Sequence, residues 1–350
     1  MSPISLPANL LGCSKPKVGA FEAKKDLNMS RSSWALLCLS CFLPCAQGEV
    51  ALPASAQNAA VPSSPGPTPQ IFAPGVISGP GNDGSPTFSP DGNTLFFTRS
   101  TSHWTIILES HQVQGKWSTP RVAPFSGEWP ESSPAMSPDG AYIVFQTLRR
   151  AGAGAVSELW RVDRAPTGWG TPVRLPDTVN ISSSVWKPSI AADGTLYFTN
   201  IGKDGSKRLF SSKYRNGTYE TAQPLSFSDG KHLDVDPEIA PDGSFLVFCS
   251  AGRLDGDTKD HLFLVRREGD GWGKVEQIRY LGDKQEADGF STDDEPHLGP
   301  DHRTLYFSSD RVIPVHFPRT HEQAQKDFER MESWDNSNTN VWFIPLSSLL

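Results

Sequence analysis

The residues with the clearest potential for chemistry are acidic side chains that stand at two fixed distances before a repeated aspartate. Eight positions before that aspartate stand Asp83, Glu131, Val185, Asp234 and Asp293. Six positions before it stand Ser85, Ser133, Lys187, Asp236 and Glu295. Carboxylates gathered at one place can bind Ca²⁺ or a cationic partner, or act as a general acid/base pair. The alternative is structural, because an acid at such a position also accepts hydrogen bonds from turn amides.

The predicted partner-binding site combines these acids with neighbouring side chains in the same loops. Its residues are Asp83, Glu131, Lys187, Asp234, Asp236, Asp293, Asp294, Glu295, His297, Trp129 and Trp186. Loop tryptophans can stack on sugar rings or anchor a partner, and packing within the fold is the alternative for each. Like charges from the fourth and fifth repeats repel unless a cation lies among them. The sequence therefore predicts Ca²⁺ binding at Asp234, Asp236, Asp293 and Glu295.

A sequence repeat determines where these residues must lie. The repeated aspartates are Asp91, Asp139, Asp193, Asp242 and Asp301, at intervals of 48, 54, 49 and 59 residues. Each has a proline five positions before it and an apolar residue three positions before it. An aromatic residue follows six positions later, or five in the third repeat. Agreement at several offsets in five places is the signature of a repeat architecture.

Each repeat predicts four antiparallel strands. Pro-Asp-Gly supplies a fixed φ, a side-chain acceptor and a residue free to adopt positive φ, which together favour a hairpin turn. The fourth strands are expected to begin at Trp117, Trp169, Tyr219 and Trp272. Four strands recurring about every 50 residues are typical of a β-propeller blade. The fifth repeat ends after three strands, so residues 71–76 are predicted to close the last blade of an all-β, five-bladed propeller.

The repeated strings resemble the TolB-type, WD-like β-propeller repeat, also called the PD repeat. They read FSPDGNTLFF, MSPDGAYIVF, IAADGTLYF, IAPDGSFLVF and LGPDHRTLYF, and the resemblance covers roughly residues 71–350. The third repeat has Ala192 where proline is usual, and the fifth has His302 where glycine is usual. The α/β domain that precedes the propeller in TolB has no counterpart. The resemblance implies a propeller fold and a setting in the bacterial envelope.

The charge balance excludes one class of partner. The chain has 32 Lys and Arg against 39 Asp and Glu, and removing the first 70 residues leaves 27 against 36, a net charge of -9. An acidic body without a basic stripe lacks the electrostatic footprint that nucleic acid requires. Thirty Gly, thirty Pro and ten Trp are typical of an all-β fold with many turns. The expected partner is an envelope protein, a peptide or a glycan, bound by a monomer.

The N-terminal segment predicts export. Residues 34–44 form an uncharged apolar run preceded by Arg31 and followed by small residues, as in a secretory signal peptide, with a buried helix as the alternative. The run is too short for a membrane span, translation is expected to begin at Met29, and a lipoprotein anchor fits poorly. The predicted organisation is an extension and signal peptide at 1–56, a proline-rich linker at 57–70 and a propeller at 71–350. The mature chain retains only Cys249, so no disulfide framework is expected.

Two functional hypotheses from different classes remain open. The first is a non-catalytic exported scaffold that binds a protein, peptide or glycan through the acidic mouth of the propeller, in the periplasm or outside the cell. The second is a five-bladed glycoside hydrolase, which needs two mouth carboxyl groups ~5–10 Å apart in a pocket. A helical insertion at 312–339 is expected over the same mouth, as a lid or as a solvated flap. Because the acids coincide with the repeat, we favour the binding function.

Overall fold

Each Pro-Asp-Gly motif forms the tight turn between the first two strands of one sheet. In the first repeat the Gly92 amide donates to the Ser89 carbonyl at 2.8 Å, and Asp91 accepts from the Asn93 amide at 3.0 Å. Gly92 has a φ of 71°, which glycine adopts without steric cost. The structure is a computed structural model and describes residues 66–149, 157–254, 259–280 and 291–346. The predicted signal peptide and most of the linker lie outside those residues.

The described residues contain one helix and 23 strands. The first strands in the chain are β1 (Gln70–Ile71), β2 (Asn82–Phe88), β3 (Thr94–Ser100), β4 (Thr105–Val113), β5 (Lys116–Trp117), β6 (Arg121–Val122), β7 (Glu131–Met136), β8 (Tyr142–Thr147), β9 (Glu158–Asp163) and β10 (Val173–Arg174). The next are β11 (Val185–Ile190), β12 (Leu196–Ile201), β13 (Lys207–Ser212), β14 (Tyr214–Arg215), β15 (Thr218–Tyr219) and β16 (Gln223–Pro224). The last are β17 (Leu233–Ile239), β18 (Phe245–Ala251), β19 (His261–Glu268), β20 (Gly271–Gln277), β21 (Asp293–Leu298), β22 (Thr304–Ser309) and β23 (Asn340–Pro345).

The strands form five antiparallel blades. Their orders are β2-β3-β4-β6, β7-β8-β9-β10, β11-β12-β13-β16, β17-β18-β19-β20 and β21-β22-β23-β1. The first strands of successive blades lie beside one another, and β21 lies beside β2, so the blades complete a ring. The five-bladed propeller predicted from the repeat is confirmed.

The N-terminal strand closes the last blade, as predicted. In the β1–β23 pair, Gln70 lies opposite Phe343 and Ile71 opposite Trp342. The predicted strand over 71–76 is too long, however, and must be corrected. The chain turns at Ala73, whose φ is 42°, and the amide of Gly75 donates to the carbonyl of Ser78 at 2.8 Å.

The predicted start of the fourth strand is correct for Trp272 and wrong for three blades. Trp117 and Tyr219 lie in short hairpins that extend the third strand, and Trp169 makes a single bridge to Arg164. The outer strands of these blades begin four residues later, at β6, β10 and β16. In two of the three blades Pro120 or Pro172 stands just before the outer strand, and proline cannot donate to a ladder.

The core lies between neighbouring blades. The aromatic residues that follow the turns are fully buried there, and they are Phe97, Phe145, Phe198, Phe248 and Phe307. Burying one such side chain contributes roughly 1.5–3 kcal/mol. This packing makes the inner strands a rigid wall around the axis of the ring.

The insertion between β22 and β23 carries the helix α1 (His321–Arg330). Thr320 caps it, since its hydroxyl accepts from the Gln323 amide while the Gln323 side chain accepts from the Thr320 amide. The insertion is attached to the loop before β2, where Asn336 and Asn338 donate to the carbonyl of Pro80 at 3.1 and 2.7 Å. In the described part of the chain, no helix is long and apolar enough to cross a membrane.

Candidate functional site

The loops leading into the first strands and the loops joining second to third strands open on one face, which we call the mouth. Four predicted site carboxylates stand at the mouth, and each is held by an arginine. The shortest distances are 2.6 Å for Asp83–Arg99, 2.6 Å for Glu131–Arg149, 2.7 Å for Asp234–Arg253 and 2.6 Å for Asp293–Arg311. All four carboxylates are buried. We call these four contacts the mouth ion pairs.

The mouth ion pairs also join neighbouring segments of the ring. Arg149 donates to the Phe125 carbonyl at 3.1 Å, and Arg253 donates to the Phe227 carbonyl at 3.3 Å. Each of these two guanidinium groups therefore links the first strand of its blade to the segment that arrives from the preceding blade. Four of the six carboxylates predicted at the mouth are therefore neutralised by arginines within their own blades. Sequence reasoning missed the arginines, although each follows its acid by 16 to 19 residues.

Five residues two positions further along the first strands form a second ring, nearer the axis. Each sits at a β-bulge with a positive φ between 47° and 55°, and they are Ser85, Ser133, Lys187, Asp236 and Glu295. A hydroxyl of the preceding blade holds the bulge amide in three cases. Asp236 donates to Thr199 at 2.9 Å, Ser133 to Thr98 at 2.9 Å, and Ser85 to Ser308 at 3.2 Å. A left-handed conformation costs about 1–2 kcal/mol for such residues, so these bonds stabilise a strained ring.

Three of the bulge residues are charged and form what we call the axial cluster: Lys187, Asp236 and Glu295. The Lys187 residue is only 2% exposed, and its Nζ donates to the carbonyl of Pro296 at 3.4 Å. Because Lys187 belongs to the third blade and Pro296 to the fifth, this side chain reaches across the axis. Glu295 accepts from the Ser308 hydroxyl at 2.7 Å, in space that a Cβ on Gly84 would fill.

The charges of the axial cluster shift the pKa values of the carboxyl groups in it and beside it. Burial and the charge of Glu295 raise the pKa of Asp236 to about 7, although the Lys187 ammonium acts in the opposite direction. Burial and the charges of Glu295 and Asp236 raise the pKa of Asp294 well above its usual range. Within the described residues, Oδ1 of Asp260 and Oδ1 of Asp294 are buried without a hydrogen-bond partner. This side of the mouth therefore favours a positively charged or hydrogen-bond-donating group.

The structure separates the four residues predicted to hold Ca²⁺. Asp234 and Asp293 lie in mouth ion pairs, whereas Asp236 and Glu295 belong to the axial cluster. Across the described ranges, no group of three or more His, Cys, Asp or Glu side chains is arranged to hold a metal ion. Ca²⁺ binding stays a prediction.

The two predicted tryptophans have different surroundings. Trp186 packs against the core between the fourth and fifth blades, with the Lys207 ammonium 5.7 Å from its ring centre. Trp129 is 46% exposed, and the sequence missed a similar residue, Trp104, in the loop after β3. Packing within the fold thus accounts for Trp186, while Trp129 is free to meet a partner.

The insertion adds further exposed apolar side chains at the mouth. Phe317 is 75% exposed and Met331 63% exposed. We use the name mouth apolar surface for the exposed apolar residues of the mouth loops, which are Trp104, Trp129, Ile313, Phe317, Phe328 and Met331. These residues come from the fifth, first and second blades, which are consecutive in the ring.

His297 does not join the axial cluster. Its Nδ1 lies 3.1 Å from Oε1 of Glu238, towards the opposite face, where the Pro-Asp-Gly turns lie. Of the predicted site residues, the structure therefore brings together Lys187, Asp236, Asp294 and Glu295 near the axis.

No protein-family model matches the chain, and no curated protein matches it. Among solved structures, TolB from Acinetobacter baumannii is 15% identical, with 76% of this chain and 54% of that one covered and a TM-score of 0.45. This chain thus spans about half the length of that TolB. An alpha-L-arabinofuranosidase from Podospora anserina, in complex with cellotriose, is 13% identical, with 81% and 98% covered and a TM-score of 0.49. A thermostable family-43 glycoside hydrolase is 12% identical, with 68% and 86% covered and a TM-score of 0.46. These likenesses are too weak to assign a function, and the propeller assignment rests on the strand pairing of the chain itself.

Proposed function

We propose that this chain is an exported, non-catalytic propeller that binds a partner protein or peptide through its mouth. The observation that carries the proposal is the mouth apolar surface, which exposes two tryptophans and the apolar side chains of the insertion on one face. Large exposed apolar patches mark interaction sites in soluble proteins, and aromatic residues are enriched at the centres of such sites.

The charge of the partner follows from the adjacent axial cluster. Two carboxylates lie beside a single ammonium there, and unpaired oxygens of Asp260 and Asp294 are buried next to them. A basic side chain of the partner would supply the missing donor, and Ca²⁺ is the alternative occupant. The partner is therefore expected to present apolar residues flanked by lysine or arginine.

Export is the second part of the proposal. It is supported by the apolar run at 34–44 and by the resemblance of the repeats to the TolB type. Secretion of the chain with its own N-terminus, followed by N-terminal sequencing, tests it. A mature N-terminus near Glu49 or Gln57 is expected, whereas an intact Met1 in the cytoplasm would contradict export.

The binding surface can be tested with a photo-crosslinking amino acid. Placed at Phe328, it should form an adduct with one partner in envelope extracts, because this side chain lies in the mouth apolar surface. Val173 on β10 is the matched control, since it is 63% exposed but lies on an outer strand. Equal adducts at both positions, or none at Phe328, would refute the surface. Millimolar Ca²⁺ that raises Tm in the native protein, but not in Asp236→Asn/Glu295→Gln, would identify the metal as an additional ligand.

One observation favours glycoside hydrolysis as the second candidate function. Asp236 has a pKa of about 7 and lies beside Glu295, and two carboxyl groups in unlike environments can act as acid and base. This candidate predicts turnover of aryl glycosides that falls at least a hundredfold in both Asp236→Asn and Glu295→Gln. If neither the native protein nor its variants hydrolyse such substrates, the binding function stands alone.

A further inference from the structure

The face opposite the mouth holds a cavity of about 110 Å³ at the axis, where the Pro-Asp-Gly turns converge. Its rim includes the turn prolines Pro90, Pro138, Pro241 and Pro300. The volume leaves room for about four water-sized groups. We call it the turn-face cavity.

The cavity exists because the repeat varies at one position. Four residues before the repeated aspartates stand Thr87, Ala135, Ser189, Glu238 and His297, and all five line the cavity. The first three blades carry small side chains there, which leave the axis open. The last two blades carry the Glu238 carboxylate and the His297 imidazole, which place polar side chains at the floor of the turn-face cavity.

Glu238 is a buried carboxylate with three donors. It accepts from Ser189 Oγ at 2.8 Å and from the Leu298 amide at 2.9 Å, and His297 Nδ1 lies 3.1 Å away. Burial acts to raise the pKa of Glu238, but the charge and hydrogen bond of His297 and the Lys187 ammonium hold it below its usual value. The carboxylate is therefore ionised, and one of its oxygens accepts from Ser189 alone among the described residues.

The walls above this carboxylate are apolar. They are formed by the side chains three residues before the aspartates, which are Phe88, Met136, Ile190, Ile239 and Leu298. An ionised carboxylate beneath an apolar shaft matches a ligand with a hydrocarbon stem and a positively charged end. The only buried ammonium among the described residues, that of Lys187, also faces Asp236 from the mouth side, so Glu238 shares it with a second carboxylate.

The rim carries a second departure from the repeat. His302 has a φ of 52° at the position where the other four blades have glycine with φ between 70° and 82°. A histidine in this conformation is strained, and strained residues persist mainly where the surrounding structure uses them. His302 lines the cavity, and Nδ1 of His297 is engaged with Glu238, which fixes the imidazole beside the carboxylate.

We propose that the turn-face cavity binds a primary alkylammonium group, with the ammonium donating to Glu238 and the stem between the apolar walls. The same chemistry is offered by a free aliphatic amine and by a lysine side chain of a partner. This site lies on the face opposite the proposed mouth surface and does not depend on it.

The probe for the test is n-butylamine, with n-butanol as the neutral control of equal length. Histidine ring signals in NMR spectra of the full chain report binding, and His297→Gln and His302→Gly variants assign them. Butylamine should shift the signals of both histidines in a saturable manner, and butanol should not. No shift with butylamine, or equal shifts with butanol, would overturn the proposal.

Variants separate charge recognition from folding. Glu238→Gln should weaken butylamine binding at least tenfold. Because this change also disturbs the Ser189 and Leu298 hydrogen bonds, Ala135→Leu provides a second variant that fills the cavity and leaves Glu238 intact. It should abolish binding, while Trp129→Ala at the mouth should leave the affinity unchanged. Unaltered binding in a folded Ala135→Leu protein would place the ligand elsewhere and refute the site.

The source of the amine is decided by a third ligand, Nα-acetyl-lysine amide. Affinity within threefold of that of butylamine would identify a lysine side chain presented by a partner. Binding of butylamine alone would identify a free amine, because the cavity then excludes a backbone attached to the stem. Both results support the ammonium site, whereas binding of neither ligand refutes it.

Discussion

The mouth ion pairs and the axial cluster come from repeat positions only two residues apart, yet their charges are compensated differently. Each carboxylate of the first set has its own arginine, as in the Asp234–Arg253 pair at 2.7 Å. In the second set one lysine faces two carboxylates, and the pKa of Asp236 rises to about 7. The mouth ion pairs therefore stabilise the ring, whereas the axial cluster keeps charged side chains at the axis that can bind a ligand or exchange a proton.

This difference shows which sequence positions carry function in a repeat protein. A residue type that recurs together with its partner, as the acid and arginine do in four of the five blades, serves the blade itself. The third blade confirms the rule, since it has Val185 in place of the acid and lacks an arginine at the matching point, where Lys203 stands. Positions at which single blades depart from the repeat, such as Lys187, are those that build the axial sites.

The largest expected effect comes from breaking one mouth ion pair. Arg253→Ala should lower the free energy of unfolding by about 3–5 kcal/mol, because Asp234 would remain buried without a counter-charge. Chemical denaturation measures the loss. Arg215→Ala is the control, since Arg215 is 63% exposed and its partner Glu220 is 50% exposed, and it should cost at most about 1 kcal/mol. Equal losses in both variants would contradict the structural role of the mouth ion pairs.

The next effect is the pH dependence of stability that Asp236 of the axial cluster causes. The pKa of Asp236 is higher in the folded protein than the ~3.9 of the unfolded chain, so the folded state holds this proton more tightly. Its stabilising contribution is complete below about pH 4 and is lost as the pH rises to about 7. Asp236→Asn stays neutral, so the variant should gain stability over the native protein across this interval, by at most roughly 4 kcal/mol.

An exposed repeat aspartate supplies the opposite trend as a control. Hydrogen bonds from the Ser244 hydroxyl and amide lower the pKa of Asp242. Its contribution is therefore present above the unfolded pKa and is lost as the pH falls. Asp242→Asn should be less stable than the native protein at neutral pH, and the deficit should vanish in acid. Parallel pH profiles for the two variants would remove the distinction between the axis and the turns.

A smaller effect tests the bulge that positions Asp236. Thr199→Val keeps the shape of the side chain but removes the hydroxyl that accepts from the Asp236 amide at 2.9 Å. The unsatisfied amide should cost about 1–3 kcal/mol. Thr105→Val is the matched control, because the Thr105 hydroxyl is only partly buried where it donates to the Glu131 carbonyl at 3.2 Å. Equal stability of the two variants would show that the Thr199 hydroxyl is not needed to stabilise the bulge.

The smallest effect is expected at His302, which has the same left-handed backbone conformation as the bulge residues but lies away from the axial cluster. His302 has a φ of 52° in a turn, where its amide donates to the Gly299 carbonyl at 2.9 Å. His302→Gly should leave stability unchanged or raise it by up to about 1 kcal/mol, since glycine adopts this conformation without strain. A loss of stability would show that the imidazole makes a structural contact.

Much of the fold could be predicted because its determinants are local. The Pro-Asp-Gly turns and the alternating runs specified five blades, and the missing fourth strand of the last repeat specified closure by the N-terminal segment. The outer strands were harder to place, because only two residue pairs hold most of them to the third strand. Such short pairings leave little pattern in the sequence.

The site was predicted only in part, because distances across the ring are not local. The acids at the starts of the first strands were found, but their arginines lie at or just after the end of the next strand and required knowledge of the hairpin register. The contact of Lys187 with Pro296 joins residues 109 positions apart. The pair of Glu238 and His297 was visible only as a departure from the repeat, and its meaning depends on the small residues opposite it.

The closing pair of strands has a consequence for the timing of folding. The Ser78 hydroxyl donates to the Val341 carbonyl across 263 residues of chain, next to the pairing of β1 with β23. Blades one to four consist of neighbouring segments and can form as each emerges from the ribosome. The segment around Ile71, by contrast, must wait until β23 has been made, and such long-range pairings form slowly. Until β1 pairs with β23, the outer edge of β23 stays open, and it is the point at which a second chain could pair and misassemble.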